Sequence, residues 1–235
     1  MKNRRTKIII ISVASLLCAS FFLIGKSVRA QQAQPQFLLS WNAGNSYAPS
    51  SYKGKILPGS QSQIVASLEL VAGGQIINIS NQSIYWYLDD TLIGGGVGVQ
   101  RIAFYPFGSA PEMETLKVAL PNYSGGYLVH QINIPVINPG VVIATPYPSD
   151  QFSGQNATAT ALAFFFNTPT ENLSFTWSVN GQTGSNTENP DILQINLPNQ
   201  APSGSTIAIS LNAQDKNTGQ SASASKNLTY QKQLQ

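Results

Sequence analysis

Ile84-Tyr-Trp-Tyr-Leu-Asp-Asp90 and Phe175-Thr-Trp-Ser-Val-Asn-Gly181 each set one tryptophan in a short β-prone run that ends in turn residues. Ninety-one positions separate Trp86 from Trp177. The same ungapped offset carries Asn81 onto Asn172, Ala110-Pro111 onto Ala201-Pro202, and Thr115 and Leu120 onto Thr206 and Leu211. A period of this size reads as two tandem domains with separate cores, rather than as a solenoid of short units. Once a leader is set aside, about 200 of the 235 residues remain, which suits two domains of about 100 each.

Outward from the two tryptophans, strand-like runs and turns alternate at spacings near ten residues. In the first half the predicted strands are 37–42, 63–71, 76–79, 84–88, 100–105, 114–120 and 127–136. Gly73-Gly74, Asp89-Asp90, Gly94 to Gly96 and Gly125-Gly126 punctuate them. In the second half they are 141–145, 158–166, 173–179, 192–197, 206–213 and 222–230, with Asp215 to Gly219 as a hairpin turn. Thr206-Ile-Ala-Ile-Ser-Leu-Asn212 alternates as a strand with one face in a core and the other in water. No window carries a helical stripe, so the body is all-β. Asn138-Pro139-Gly140 is a short, stiff seam. The expected domains are therefore 37–137 and 141–231, joined by a linker at 138–140, after a polar spacer at 31–36 and before a tail at 232–235.

The N-terminus reads as an export signal. Lys2, Arg4, Arg5 and Lys7 precede an uncharged run from Ile8 to Gly25, followed by Lys26-Ser-Val-Arg-Ala30. Val28 and Ala30 suit a cut before Gln31, yet the run is long for a signal core and near the length of a spanning helix. Residues 1–30 are thus either a cleaved signal peptide or an N-terminal transmembrane anchor holding the membrane through 8–25. In both readings the basic flank stays cytoplasmic and the rest is exported. Cys18 follows Leu17, too large a residue for a lipoprotein signal, and Arg4-Arg5 lacks the rest of a twin-arginine motif.

Composition narrows function. The formal charge of +3 comes from six basic residues in the leader, and the remainder carries seven basic against ten acidic residues. Lys53, Lys55, Arg101, Lys117, Lys216, Lys226 and Lys232 are scattered singly, so no basic face exists for nucleic acid. The one cysteine lies in the leader and the one histidine is His130, which removes Cys/His pairs, zinc sites and most nucleophilic chemistry. A Ser-His-Asp set would need His130, and no Gly-x-Ser-x-Gly elbow supports it. Asp89-Asp90 offers loop oxygens to Ca²⁺ without the spaced ladder such a site needs. No cofactor, metal or catalytic residue is expected. Six Asn-x-Ser/Thr triplets, at Asn78, Asn81, Asn122, Asn156, Asn172 and Asn227, are read as composition.

The aromatic residues are the better lead. Trp41, Tyr47 and Tyr52 cluster in a Pro/Gly/Ser-rich stretch, and Tyr105-Pro-Phe107 lies in a later loop. Exposed aromatic faces stack on sugar rings and anchor protein interfaces. These five are the candidate ligand-binding residues, while Trp86 and Trp177 are expected to be core.

The order of elements resembles an immunoglobulin-like sandwich, and among such modules it is most similar to the PKD-type domains of bacterial surface proteins. The residues that carry the resemblance are Trp177 to Gly181 with Ser205 to Asp215 and Gly219, and Trp86 to Asp90 with Thr115 to Leu120. The likeness covers most of 37–231, without a cysteine pair of the antibody type and with only Asn180-Gly181 and Asp89-Asp90 in place of an Asp-Gly-rich turn. It implies an exported, non-enzymatic surface protein with two β-sandwich modules, serving adhesion, spacing or assembly with envelope proteins. The alternative is a carbohydrate-binding module for cell-wall or extracellular glycans.

Overall fold

The computed structural model describes residues 35–232, apart from 125, 185–187 and 199. The leader, most of the polar spacer and the end of the tail lie outside the described residues. Among those described, no helix is long and apolar enough to cross a membrane.

Sixteen strands form two Ig-like sandwiches. The first contains β1 (Gln36–Ala43), β2 (Ile64–Ala72), β3 (Gln75–Ile77), β4 (Ser83–Leu88), β5 (Thr91–Val97), β6 (Arg101–Phe104), β7 (Glu112–Tyr123) and β8 (Gly126–Val136). One sheet runs β1-β2-β3, with β6 also paired to β2, and the facing sheet runs β5-β4-β7-β8. The second contains β9 (Gly140–Ala144), β10 (Gln151–Phe152), β11 (Asn156–Phe164), β12 (Ser174–Val179), β13 (Gln182–Gly184), β14 (Ile192–Asn196), β15 (Thr206–Gln214) and β16 (Ser221–Tyr230). Its sheets run β14-β11-β9 and β10-β16-β15-β12-β13. Every pairing is antiparallel except β10 with β16.

Alternation builds both cores. Ile207, Ile209, Leu211 and Ala213 of β15 are buried while the residues between them are exposed. Ile64, Ala66, Leu68 and Leu70 are likewise buried along β2, alternating with half-buried Val65 and Ser67 and exposed Glu69. The first core gathers these β2 residues around Trp86, with Ile84, Leu88, Leu116, Val118 and Leu120; the second gathers Phe175, Ile209, Leu211 and Leu228 around Trp177. Trp86 and Trp177 are fully buried. The Trp86 indole N–H donates to the Val99 carbonyl at 2.8 Å and that of Trp177 to the Pro190 carbonyl at 3.0 Å, so the two acceptors lie at the repeat offset as well. Asp89 and Asn180 also share a role. Each has positive φ, and each side chain accepts the backbone N–H of the next strand across, Thr115 and Ala208.

That last correspondence corrects the ungapped repeat. Trp86 pairs with Val118 and Trp177 with Leu211, so by the β7/β15 strand the structural offset has grown by two, and Thr115 matches Ala208 rather than Thr206. A slip of two keeps every side chain on its own face of the sheet, which leaves the hydrophobic pattern intact. A second correction concerns Gly94 to Gly96, which lie within β5 rather than between strands. A Cβ on Gly95 would meet the Tyr85 ring at 2.6 Å and the Ile84 carbonyl oxygen at 2.7 Å, so glycine lets β5 approach β4 where any side chain would collide. β10 and β13, two and three residues long, carry no alternation to read.

The segment between β1 and β2 does not close on its own sandwich. Tyr47 forms a bridge to Phe166: its N–H donates to the Phe166 carbonyl at 3.0 Å, and its carbonyl accepts from the Phe165 N–H at 2.5 Å. Asn167 is the hub beside it. Its Nδ2 donates to the Asn45 carbonyl (3.2 Å) and to Oγ of the fully buried Ser62 (3.1 Å). Its N–H donates to Gln220 Oε1 (2.8 Å), and Gln220 Nε2 donates back to its Oδ1. The Ile137 N–H donates to the Pro58 carbonyl at 2.9 Å. The two sandwiches are therefore clasped by a loop of the first as well as joined through residues 137–139.

Replacing Trp86 or Trp177 with Ala is expected to cost about 3–5 kcal/mol of the stability of its own sandwich, read as a lowered urea midpoint; an unchanged unfolding curve contradicts the core role. Asn167→Ala is expected to leave the tryptophan fluorescence of both cores native. It should cost about 1–3 kcal/mol for the donors and acceptors it strands, and should broaden the distribution of distances within the particle measured by small-angle X-ray scattering as the clasp loosens.

Candidate functional site

The structure divides the five candidate aromatics into three places. Trp41 is 7% exposed and belongs to the first core, and the Lys55 ammonium lies 3.3 Å from its ring centroid, which covers the remaining face. Burial there pushes the Lys55 amine below its ordinary value. Tyr47 and Tyr52 belong to the clasp. Tyr52 meets Phe164 and Phe165 edge-on, with centroids 5.7 and 5.6 Å apart, and its hydroxyl donates to the Lys55 carbonyl at 3.3 Å. Tyr47 is 41% exposed although its backbone is bridged. Tyr105 and Phe107 stand 56% and 58% exposed in the loop between β6 and β7.

Four of the five leave from one end of the first sandwich. Ala43 pairs with Ile64 and Ile64 with Phe104, so the Tyr47–Tyr52 segment and the Tyr105–Phe107 loop start side by side. Glu112 pairs with Val136 at the same end, where the chain passes to the second sandwich. The sequence clusters Trp41 with Tyr47 and Tyr52, but alternation along β1 turns Trp41 inward and separates it from them.

The Tyr105–Phe107 loop is held from below by a residue that composition did not single out. Glu114, fully buried on β7, accepts the backbone N–H groups of Phe107 (2.5 Å) and Gly108 (2.8 Å) with Oε1, while Oε2 has no hydrogen-bond partner. Burial pushes this carboxyl above its ordinary value; the Gly108 and Phe107 amides pull it down, and the charges of Asp89 and Glu112 add to the rise. Its signal was a lone acid at an inward position of a strand, Glu114 in step with Leu116 and Val118.

Asp89, Asp90 and Asp215 are engaged at turns. Asp90 pairs with Lys117 and raises its pKa, and Asp89 caps Thr115. Asp215 is buried: burial opposes its ionisation, but the Thr218 hydroxyl and the Asn217 and Thr218 amides outweigh it and hold the carboxyl below its ordinary value. His130 stacks on Phe37, centroids 5.5 Å apart with planes 12° from parallel, beside a groove of about 480 Å³ lined by Phe37 to Ser40, Ser67 and Glu69. Among the described residues no three His, Cys, Asp or Glu side chains are grouped to hold a metal ion.

No protein-family model and no curated protein matches the chain. Among solved structures it is similar to the fibronectin(III)-like modules of CbhA from Clostridium thermocellum (18% identity over 80% of this chain and 94% of that one, TM-score 0.29). It is also similar to the C-terminal 282-residue fragment of intimin, solved with the intimin-binding domain of its translocated receptor (12%, 80% and 64%, TM-score 0.28). A third is the Bacteroides ovatus glucan-utilisation protein SGBP-B, solved with a mixed-linkage heptasaccharide (12%, 83% and 47%, TM-score 0.27). These neighbours are fibronectin III and Ig-like arrays from bacterial and other surface proteins. Likenesses this distant locate no ligand on this chain; the sandwich assignment rests on its own sheets and cores.

Glu114 yields a pH dependence of definite sign. A carboxyl whose folded value is raised favours the folded state while protonated, so its contribution is lost as pH rises from 4.5 through the folded value. Glu114→Gln removes this titration. The stability of the variant relative to the parent is expected to increase between pH 4.5 and neutrality, measured by urea unfolding across that range; a difference independent of pH contradicts the assignment.

Proposed function

We propose that the chain is an exported, non-enzymatic cell-surface protein whose two Ig-like modules, 37–137 and 141–231, act as one stiff unit in adhesion, spacing or assembly of an envelope structure. The observation that supports this reading most is the clasp. Hydrogen bonds from Tyr47 and Asn167 and the edge-on packing of Tyr52 cross the joint and add to the restraint that the short, stiff linker already imposes on bending. A stiff two-module rod suits a protein that holds a contact surface at a set distance from its anchor, with partners among envelope or surface proteins. The leader at 1–30 is the proposed address, as a cleaved signal or as a membrane anchor through residues 8–25.

The second reading is glycan binding, favoured by the exposed rings of Tyr105 and Phe107 with Tyr47 at the same end of the module. Protease treatment of intact host cells, followed by immunoblotting, tests the first reading: loss of the chain from whole cells, with a cytoplasmic marker spared, is expected, and full protection overturns it. Glycan-array binding that disappears in the Tyr47→Ala, Tyr105→Ala, Phe107→Ala triple variant, with its melting temperature retained, would move the assignment to the second.

A further inference from the structure

Strand β8 carries the longest free edge of the first sandwich, and the register shows which of its groups are open. Thr115 of β7 uses both backbone groups on the β4 side: its N–H donates to Asp89 Oδ1 at 2.8 Å and its carbonyl accepts the Asp89 N–H at 3.0 Å. Successive residues of a strand aim their backbone groups to opposite sides, so Thr115 and Asn133 face each other without ladder bonds. The bonded pairs are then Glu114 with Ile134, Leu116 with Ile132, Val118 with His130 and Leu120 with Leu128. Tyr127, Val129, Gln131 and Asn133 consequently point their N–H and C=O groups away from β7. Pro135, next in that row, has no N–H, and beyond it the Ile137 N–H is taken by Pro58. Among the described residues no strand pairs with this edge.

The edge also lacks the devices that keep such strands apart. No Lys, Arg, Asp or Glu occurs from Gly126 to Val136, and Tyr127 and Val129 are 62% and 49% exposed. In the second sandwich the matching edge strand, β16, is partly covered by β10 and carries Lys226, which pairs with Asp150 at 2.6 Å. In the first, the segment that follows β1 is spent on the clasp instead.

We infer that β8 is a homotypic assembly edge, pairing antiparallel with β8 of a second copy of this chain. A second copy brings a row that matches this one in length and spacing. One register pairs all four open residues, Tyr127 with Asn133 and Val129 with Gln131 of the other copy, with the twofold axis at His130. No like charges meet across that axis, and the two four-stranded sheets join into one of eight. The two His130 residues would face each other as a non-hydrogen-bonded pair, with Cα atoms about 4.5 Å apart. This deepens the assembly reading above and names its partner.

The test is site-specific disulfide formation in the full chain made in cells, with Cys18→Ser so that an introduced thiol is the only one. Under mild oxidation His130→Cys is expected to give a dimer on non-reducing gels several-fold above Val129→Cys or Gln131→Cys alone, while those two co-expressed cross-link with each other. Gln131→Pro, which removes an N–H that the sandwich itself does not use, should abolish the His130→Cys dimer with little change in melting temperature. Equal dimer at 129, 130 and 131, a His130→Cys thiol that takes maleimide but forms no dimer, a cross-link to a different protein, or a dimer indifferent to Gln131→Pro each overturns the proposal. Surface exposure is scored separately by protease treatment, so either reading can fail alone.

Discussion

A tryptophan buried between two sheets and tied by its indole N–H to a carbonyl thirteen residues later is the constraint on which each half of this molecule depends. The ring fills a gap of about 10 Å that smaller side chains would leave void, and the hydrogen bond satisfies the one polar atom it carries inward. That bond also pins the chain where it leaves the central sheet, at Val99 before β6 in the first sandwich and at Pro190 before β14 in the second. The strands on either side are thereby held at a fixed separation and register. The bulge between Trp86 and Tyr87, and the glycines of β5 opposite, are local adjustments around that fixed point.

The two sandwiches have then diverged in how they use the stretch after their first strand. In the second it crosses to the other sheet and pairs in parallel with β16 through β10. In the first it is twenty residues long and reaches the neighbouring sandwich, where Asn167 bonds both Ser62 and Gln220. Joint stiffness and edge protection compete for the same piece of chain. The clasp and the bare edge of β8 are two consequences of one choice.

Glu114 shows the same economy at the level of one side chain. Its carboxylate substitutes for a strand partner by holding the Phe107 and Gly108 amides, at the cost of a buried oxygen without a partner. The loop so held carries the exposed Tyr105 and Phe107, while Asp89 and Asp215 cap turns and Asp90 and Asp150 pair with lysines.

From residues alone came the all-β class, the two modules, their buried tryptophans and nearly every long strand, because each is written in a local pattern: alternation with period two, turn residues and one conspicuous aromatic per repeat. The same patterns are blind to a shift of two residues, so the slip between β7 and β15 was invisible until the pairing placed Val118 and Leu211 beside the tryptophans. They are equally blind to strands of two or three residues and to a β5 whose glycines look like turns. Trp41 illustrates the limit for sites: neighbours in sequence, it and Tyr47 are parted because one points into a core and the other belongs to a loop that crosses to another domain. The clasp, the buried Glu114 and the open row on β8 all depend on which backbone and side-chain groups meet across long separations in the chain. Such meetings leave no periodic trace, and packing alone settles them.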